Sequence, residues 1–432
     1  MGLRKTTIAL AVTASLVTAG AGPGAPAHAA GPACTPTWRL VSTPPLPDGV
    51  YISPLPQPGG SDVATSTGGT VDAVSAVGRD SVWFTGSHAG SATSFAGPWL
   101  LHADGRKVSQ PKAQVVPPPL RTGFASSGTS SFDSDTDGWA LWSLPTAFTT
   151  PYGERWHDGR WTSVPFAPSP DAAKYNVQIN DVVAISPTDA WAVGTRYEAG
   201  VALGFFPMGS VVEHWDGSSW SVVPDPAATR ENAGLNAVAV IAADDVWAVG
   251  ELRTGGDAQR ITPLLEHWDG KRWTVAEMAL GEPEFFAGLS SVSATRGGDV
   301  WAAGFTLDRP SSQGGVRAPL VAHYDGTSWH AVGGLPDLGG GIPTTVYAAA
   351  AQDAWTTAVN PQTNETTFLH WTGRNWTSVP VPGPKAYGLT YTYTAMDGTG
   401  PTDVWAVGSV ANGAYTTDTP QIAHLSCHSG RA

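Results

Sequence analysis

Charge is scarce in this chain, and positive charge is scarcer: 14% of its 432 residues are Asp, Glu, Lys or Arg, with 23 basic side chains against 36 acidic ones. No basic stripe is available to displace phosphate counterions, which disfavours nucleic acid and anionic lipid as partners. Long apolar runs are also missing. The stretch from Thr7 to Val17 is too short to span a bilayer, and nothing later approaches the roughly 18 apolar residues that a spanning helix needs, so no membrane insertion is expected. There is no Gly-x-Ser-x-Gly elbow, no His-Glu-x-x-His zinc motif and no phosphate-binding loop of the Walker type. Their absence turns the reading away from three common kinds of enzyme, although the paired carboxylates of a glycosidase would leave no local motif. The two cysteines, Cys34 and Cys427, suggest a single disulfide in an exported chain.

Export is what the first residues predict. Arg4 and Lys5 precede the apolar run, and a small-residue stretch ends at Ala27-His28-Ala29, so residues 1–29 read as a signal peptide cleaved after Ala29. Losing Arg4 and Lys5 takes the formal charge from −13 to −15. Gly (51) and Pro (36) are abundant enough to suggest disorder, but 19 Trp and regular Val/Ala/Leu runs supply apolar surface for a core. The Gly and Pro are therefore read as turns in an all-β protein.

An internal repeat organises the mature chain. An Asp stands two residues before a Trp at Asp137/Trp139, Asp189/Trp191, Asp245/Trp247, Asp299/Trp301, Asp353/Trp355 and Asp403/Trp405, with a divergent first copy at Asp80/Trp83. Each copy has the same internal order, clearest from Leu235 to Met278: an alternating run, a tight turn, Val246-Trp247-Ala248-Val249-Gly250, a variable loop, Leu264-Leu265-Glu266-His267-Trp268, then Asp269-Gly270 and Trp273. Asp-Gly is a hairpin turn, so each copy reads as four short antiparallel strands. Seven such units predict a seven-bladed β-propeller, with blades near 71–113, 121–168, 178–226, 234–279, 288–335, 344–382 and 391–427. The last copy stops at Cys427 without a Trp-bearing fourth strand, and residues 35–43, around Trp38, match the missing one. That strand is expected to close the ring, bringing Cys34 opposite Cys427. A disulfide there closes a loop of nearly 400 residues, for which chain entropy gives on the order of 5 kcal/mol.

The repeated Trp residues are expected to fill the space between blades, and the Asp before each to accept backbone N–H groups in its own turn. His102, His214, His267, His323, His370 and His424 hold equivalent third-strand positions, too far apart around a ring to share a metal, so a structural hydrogen-bonding role is expected. Asp133, Asp135 and Asp137 alternate ahead of Gly138 like the start of a calcium loop, which makes calcium a candidate ligand. Leu141 and Leu144 stand where such a loop needs oxygen ligands, and a solvated acidic turn is the competing reading.

With DVWAVG at 403–408 and HWDGKRW at 267–273, the chain resembles secreted actinobacterial propeller proteins, and its plan is similar to kelch and WD-type propellers. DGSSW at 216–220 resembles a sialidase aspartate box with one residue missing. These resemblances imply a fold and leave activity open, because propellers carry binding proteins, hydrolases, lyases and oxidases alike.

The loops leaving the second and fourth strands are long and differ between blades, as binding loops do. Their candidate ligand-binding residues are Tyr197, Phe205 and Phe206; Arg253 and Arg260; Glu284, Phe285 and Phe286; and Arg309 and Arg317. Aromatics beside polar groups suit a sugar ring or a protein hot spot, and the competing reading tucks the Phe side chains under their own loops. The expected function is a monomeric, extracellular, non-enzymatic module that recognises a glycan or protein and needs no cofactor. A carbohydrate-active hydrolase or lyase is the alternative.

Overall fold

The computed structural model describes residues 35–44, 69–88, 97–105, 107–111, 126–143, 152–168, 174–198, 207–230, 232–254, 260–280, 286–309, 315–360, 362–363, 365–383, 389–412 and 415–427. Among them there is no helix. Strand β1 (Thr37–Val41) comes first. Next are β2 (Gly69–Gly78), β3 (Ser81–His88), β4 (Gly97–Ala103) and β5 (Val108–Ser109), then β6 (Ser126–Phe132), β7 (Asp137–Ser143), β8 (Tyr152–His157) and β9 (Arg160–Pro165). The third meander is β10 (Tyr175–Ser186), β11 (Asp189–Glu198), β12 (Pro207–Trp215) and β13 (Trp220–Val222), and the fourth is β14 (Ala233–Ala242), β15 (Asp245–Thr254), β16 (Arg260–Trp268) and β17 (Trp273–Val275). After the short β18 (Met278–Ala279) come β19 (Phe286–Ala294), β20 (Val300–Leu307), β21 (Arg317–Tyr324) and β22 (Trp329–Ala331). The sixth set is β23 (Ile342–Ala350), β24 (Asp353–Val359), β25 (Thr366–Trp371) and β26 (Trp376–Val379), and the last is β27 (Leu389–Gly400), β28 (Asp403–Asn412) and β29 (Tyr415–Ser426).

Hydrogen-bond ladders join these strands into six sheets, five of four strands and one of nine, where the repeat count predicts seven. The difference has a local cause. Ile261 of β16 makes a parallel pair with Phe286 of β19, and β18 lies parallel to β22, so the fourth and fifth meanders are stitched into one ladder. Each keeps its own up-and-down order within it. Strand β1 pairs antiparallel with β29 from Thr37↔Ser426 to Val41↔Ile422, giving the last sheet the order β1-β29-β28-β27. The chain's first described strand thus occupies the fourth-strand place of its last meander. Cys427 follows β29 directly and is not free, while Cys34 lies outside the described residues, as do residues 1–29.

The Trp pattern sets the packing between sheets. Each second-strand Trp meets the fourth-strand Trp of the next meander: Trp83 with Trp161, Trp139 with Trp220, Trp191 with Trp273, Trp247 with Trp329, Trp301 with Trp376, and Trp355 with Trp38. Interplanar angles run from 67° to 88°. Edge-on contact sets the electropositive rim of one ring against the face of the other, and the indole N–H groups of these twelve rings have no acceptor atom. At the last sheet Trp405 meets Phe84 of the first instead, 5.5 Å between centroids, in a cluster with Val71, Val74, Val407 and Ile422.

The recurring Asp and His are partners of each other. His Nε2 lies 2.9 Å from the Asp carboxylate at His214–Asp189, 2.8 Å at His267–Asp245, 3.0 Å at His323–Asp299, 3.0 Å at His370–Asp353 and 2.6 Å at His424–Asp403. The same imidazoles lie on the Trp between them, with the ring centroids of Trp405 and His424 3.8 Å apart. This corrects the expectation that these Asp residues serve their own turns. Across two strands the His is opposite the Trp, which puts its ring within reach of the Asp two residues earlier. Turn capping falls instead to the hairpin aspartates: Asp216, Asp269 and Asp325 each accept two backbone N–H groups at 2.8–3.0 Å. Asp403→Ala, which strips His424 of its acceptor at a buried position, is expected to cost about 1–3 kcal/mol. Chemical denaturation measures this, and His330→Ala, which removes a half-exposed pair, is the low-effect control.

Candidate functional site

The second strands run toward the end of the molecule that carries the long loops, and this is where the candidate residues were placed. Phe205, Phe206, Glu284 and Phe285 lie outside the described residues. Tyr197 and Arg253 are brought together. Thr195 bonds the Tyr197 hydroxyl, the charges of Glu251 and Arg253 act on it from the next meander, and burial pushes its phenol up. Arg253 itself is held by Glu251 at 2.8 Å.

The other candidates separate. Phe286 is 4% exposed and packs inside its sheet, so it offers no face to a ligand. Arg260 stands exposed at the start of β16, Arg309 is paired to Asp308 at 3.0 Å, and the Arg317 guanidinium lies over the Phe305 ring at 4.7 Å. The acidic run is likewise divided. Asp137 is engaged by Arg155 at 2.7 Å and by His157 at 2.5 Å, while Asp135 accepts the Ser81 hydroxyl of the first meander. Asp133 is half-buried, with burial pushing its carboxyl up. The three carboxylates do not converge, and among the described residues no group of three or more His, Cys, Asp or Glu is disposed to hold a metal ion.

A cavity of about 100 Å³ opens at the same end of the third meander. Its polar lining is Arg196 from β11, Ser210 and Glu213 from β12, and Asp225 from the segment leaving β13; Val177, Val211, Val222, Val223 and Pro224 form most of the rest. Strand alternation sends the two neighbours at the end of β11 to opposite faces. Tyr197 faces the fourth meander, whereas its neighbour Arg196 faces the cavity with its guanidinium over the Tyr175 ring at 5.4 Å. The Nε of Arg196 and the Oε1 of Glu213 are buried without a hydrogen-bond partner. Glu213 is fully buried, spends Oε2 on the Ala167 backbone N–H at 2.8 Å, and is pushed up to about 7 by desolvation. Asp225 accepts the Ser210 hydroxyl. At Gly209, φ is +144° and the Ala228 carbonyl passes where a Cβ would stand, so only glycine lets the exit segment lie this close.

The signal for this site was in the repeat itself. In register with Arg196, Ser210 and Asp225, the fourth meander has the apolar Leu252, Pro263 and Met278. Pro also stands at the Ser210 position in the first, fifth and last meanders, as Pro98, Pro319 and Pro420. A polar departure from an apolar repeat position is a stronger pointer than loop length.

No protein-family model matches the sequence, and no curated protein matches it either. Solved structures resemble it in fold. A polysaccharide lyase of family PL25, an ulvan lyase bound to -[GlcA(1-4)Rha3S]-, aligns with a TM-score of 0.53 at 9% identity, over 83% of this chain and 94% of that one. YCF48 from Cyanidioschyzon merolae aligns with a TM-score of 0.49 at 12% identity, over 90% and 98%. The β-propeller domain of the Trilobed protease from Pyrococcus furiosus gives 0.47 at 9% identity, over 83% and 95%. The described chain is all-β, built of antiparallel four-strand meanders packed face to face, and its architecture is that of a β-propeller. No helix among the described residues is long and apolar enough to cross a membrane.

Proposed function

We propose that this chain is a secreted, seven-bladed propeller, closed by β1 and a Cys34–Cys427 disulfide, that recognises a glycan through the cavity of its third blade. The observation carrying this reading is the cavity's combination of apolar wall and underused polar groups. Val177, Val211, Val222 and Pro224 suit the face of a sugar ring, and Arg196, Ser210 and Asp225 suit its hydroxyls. Tyr197 and Arg253, on the neighbouring rim, extend the same end of the molecule.

Binding is favoured over turnover because the carboxyl groups here serve the fold: Glu213 holds the Ala167 N–H, and Asp225 holds the Ala227 N–H at 3.2 Å. A hydrolase or lyase remains the second reading, motivated by two carboxyl groups lining one cavity. Titration calorimetry with methyl glycosides of glucose, galactose and mannose, backed by a glycan array, tests the proposal. Saturable binding that Arg196→Ala weakens at least about tenfold, with no reducing ends or unsaturated products released from polysaccharides, is the expected result. Turnover would transfer the site to the second reading. Binding untouched by Arg196→Ala would move the ligand elsewhere on the surface.

A further inference from the structure

Two carboxyl groups converge on one donor behind the cavity wall. The backbone N–H of Ala227 lies 3.2 Å from Asp225 Oδ2 and 3.0 Å from Glu266 Oε1, and one N–H cannot neutralise two anions. Asp225 belongs to the exit segment that forms the wall, whereas Glu266 belongs to β16 of the next meander, so the contact clasps the wall to its neighbour. On its other side the wall is tied to β12, by Val223 N–H on the Val212 carbonyl at 2.9 Å, by the Ser210 hydroxyl on Asp225 and by Ser210 N–H on the Ala227 carbonyl at 3.4 Å, so Glu266 is its hold from the next meander. The preceding meander supplies a comparison, because Glu213 grips the Ala167 N–H at 2.8 Å and no second carboxylate competes for that donor. The convergence is thus a departure from the repeat, and it adjoins the cavity.

Resting on the glycan reading of that cavity, we propose that capture is proton-linked: a proton shared by Asp225 and Glu266 holds the 223–228 wall closed, and its loss opens the wall and releases the sugar. The charged groups facing the pair are Arg196 from β11 and Arg230 from the exit segment, both favouring the ionised state, with Ser210 donating to Asp225. Ala248 and Val275, opposite Glu266 within its own sheet, contribute no charge, and Glu213 of β12 is turned toward the second meander. Burial and the Asp225 charge outweigh those arginines and push Glu266 well above the ordinary carboxylate range. Protonated Glu266 donates to Asp225. Ionised, the two carboxylates repel at a buried site where screening is weak.

Hydrogen exchange of the peptide spanning 223–230, corrected for intrinsic rates and followed by mass spectrometry without ligand, tests the clasp apart from the glycan reading. Wild-type protection is expected to fall about tenfold between pH 6 and pH 9, and Glu266→Gln, a permanent mimic of the neutral acid, should keep it at both. Asp225→Asn is the second variant, and melting curves check that each one folds. Equal wild-type protection at the two pH values, or the same loss in Glu266→Gln, overturns the proposal. The methyl glycosides are then titrated over the same range. If none binds at any pH while protection still switches, the sugar assignment fails and the clasp stands. Binding that ignores pH in a chain whose wall opens removes the link between clasp and capture.

Discussion

Taking the protein from pH 5 to pH 8 is expected to lower its melting temperature by on the order of 5–10 °C, the reverse of what an ordinary carboxylate-rich protein does on leaving acid. The cause is a row of glutamates in the third strands of three successive meanders: Glu154, Glu213 and Glu266. In register with them the other four have Leu101, Ala322, Leu369 and Ala423. Each Glu is at most 2% exposed, and Glu154 and Glu213 each keep one oxygen without a partner. Desolvation pushes Glu154 and Glu213 up to about 7 from an ordinary 4.5. Between those values the folded chain holds protons that the unfolded chain has released, so stability declines as pH climbs from about 4.5 through about 7, and Glu266, raised further by burial and the Asp225 charge, continues the decline beyond it. At about 1.4 kcal/mol for each pH unit, either residue contributes roughly 3 kcal/mol of this decline. Asp181 and Asp397, both raised to about 6 mainly by burial, act in the same direction. Glu154→Gln is expected to stabilise the protein at pH 8 and to leave it nearly unchanged at pH 5. A melting temperature that rises with pH over this range, or a Gln variant destabilised equally at both, would show these glutamates to be ionised in the fold.

That row also marks how far the sequence could be read. The four-strand unit and the Trp spacing were legible, because a fold built from repeats writes its geometry anew in each copy. Position by position, Trp38 could be matched to Trp273 before any contact was known. What escaped was of two kinds. Stitching between the fourth and fifth meanders depends on one parallel pair, Ile261↔Phe286, and nothing in a periodic pattern announces a single pair. The cavity escaped because no loop length marks it: Arg196 and Ser210 lie within strands, Asp225 lies just past one, and all three stand out by chemistry alone. The partnership of Asp and His escaped for a related reason: both recur in most copies, Arg155 replacing the His in the second, yet only the cross-strand register reveals that they meet.

Removing the closing strand is expected to have the largest effect of any change considered, because β1 completes the last sheet and also packs against the sheet before it. Trp38 meets Trp355 at 5.4 Å and Phe368 at 4.9 Å, so Trp38→Ala should cost about 3 kcal/mol, and deletion of residues 30–41 considerably more. The two ends of the repeat array also touch without β1. The Asp397 carboxylate accepts the Ala76 N–H at 2.8 Å, and Arg79 reaches the Thr402 hydroxyl at 3.1 Å. Asp181 in the third meander takes the Val238 N–H of the fourth in the same manner, at 2.9 Å, so the junction of last sheet to first is built like an internal one. A closed ring then predicts an order of effects. Cys34→Ser should cost less than deletion of residues 30–41, since pairing and packing survive loss of the covalent link, and non-reducing mass analysis of the wild type should find no free thiol. If deletion of 30–41 leaves the melting transition where it was, β1 does not hold the ring. If Cys34→Ser costs as much as that deletion, the disulfide rather than the strand keeps the circle shut.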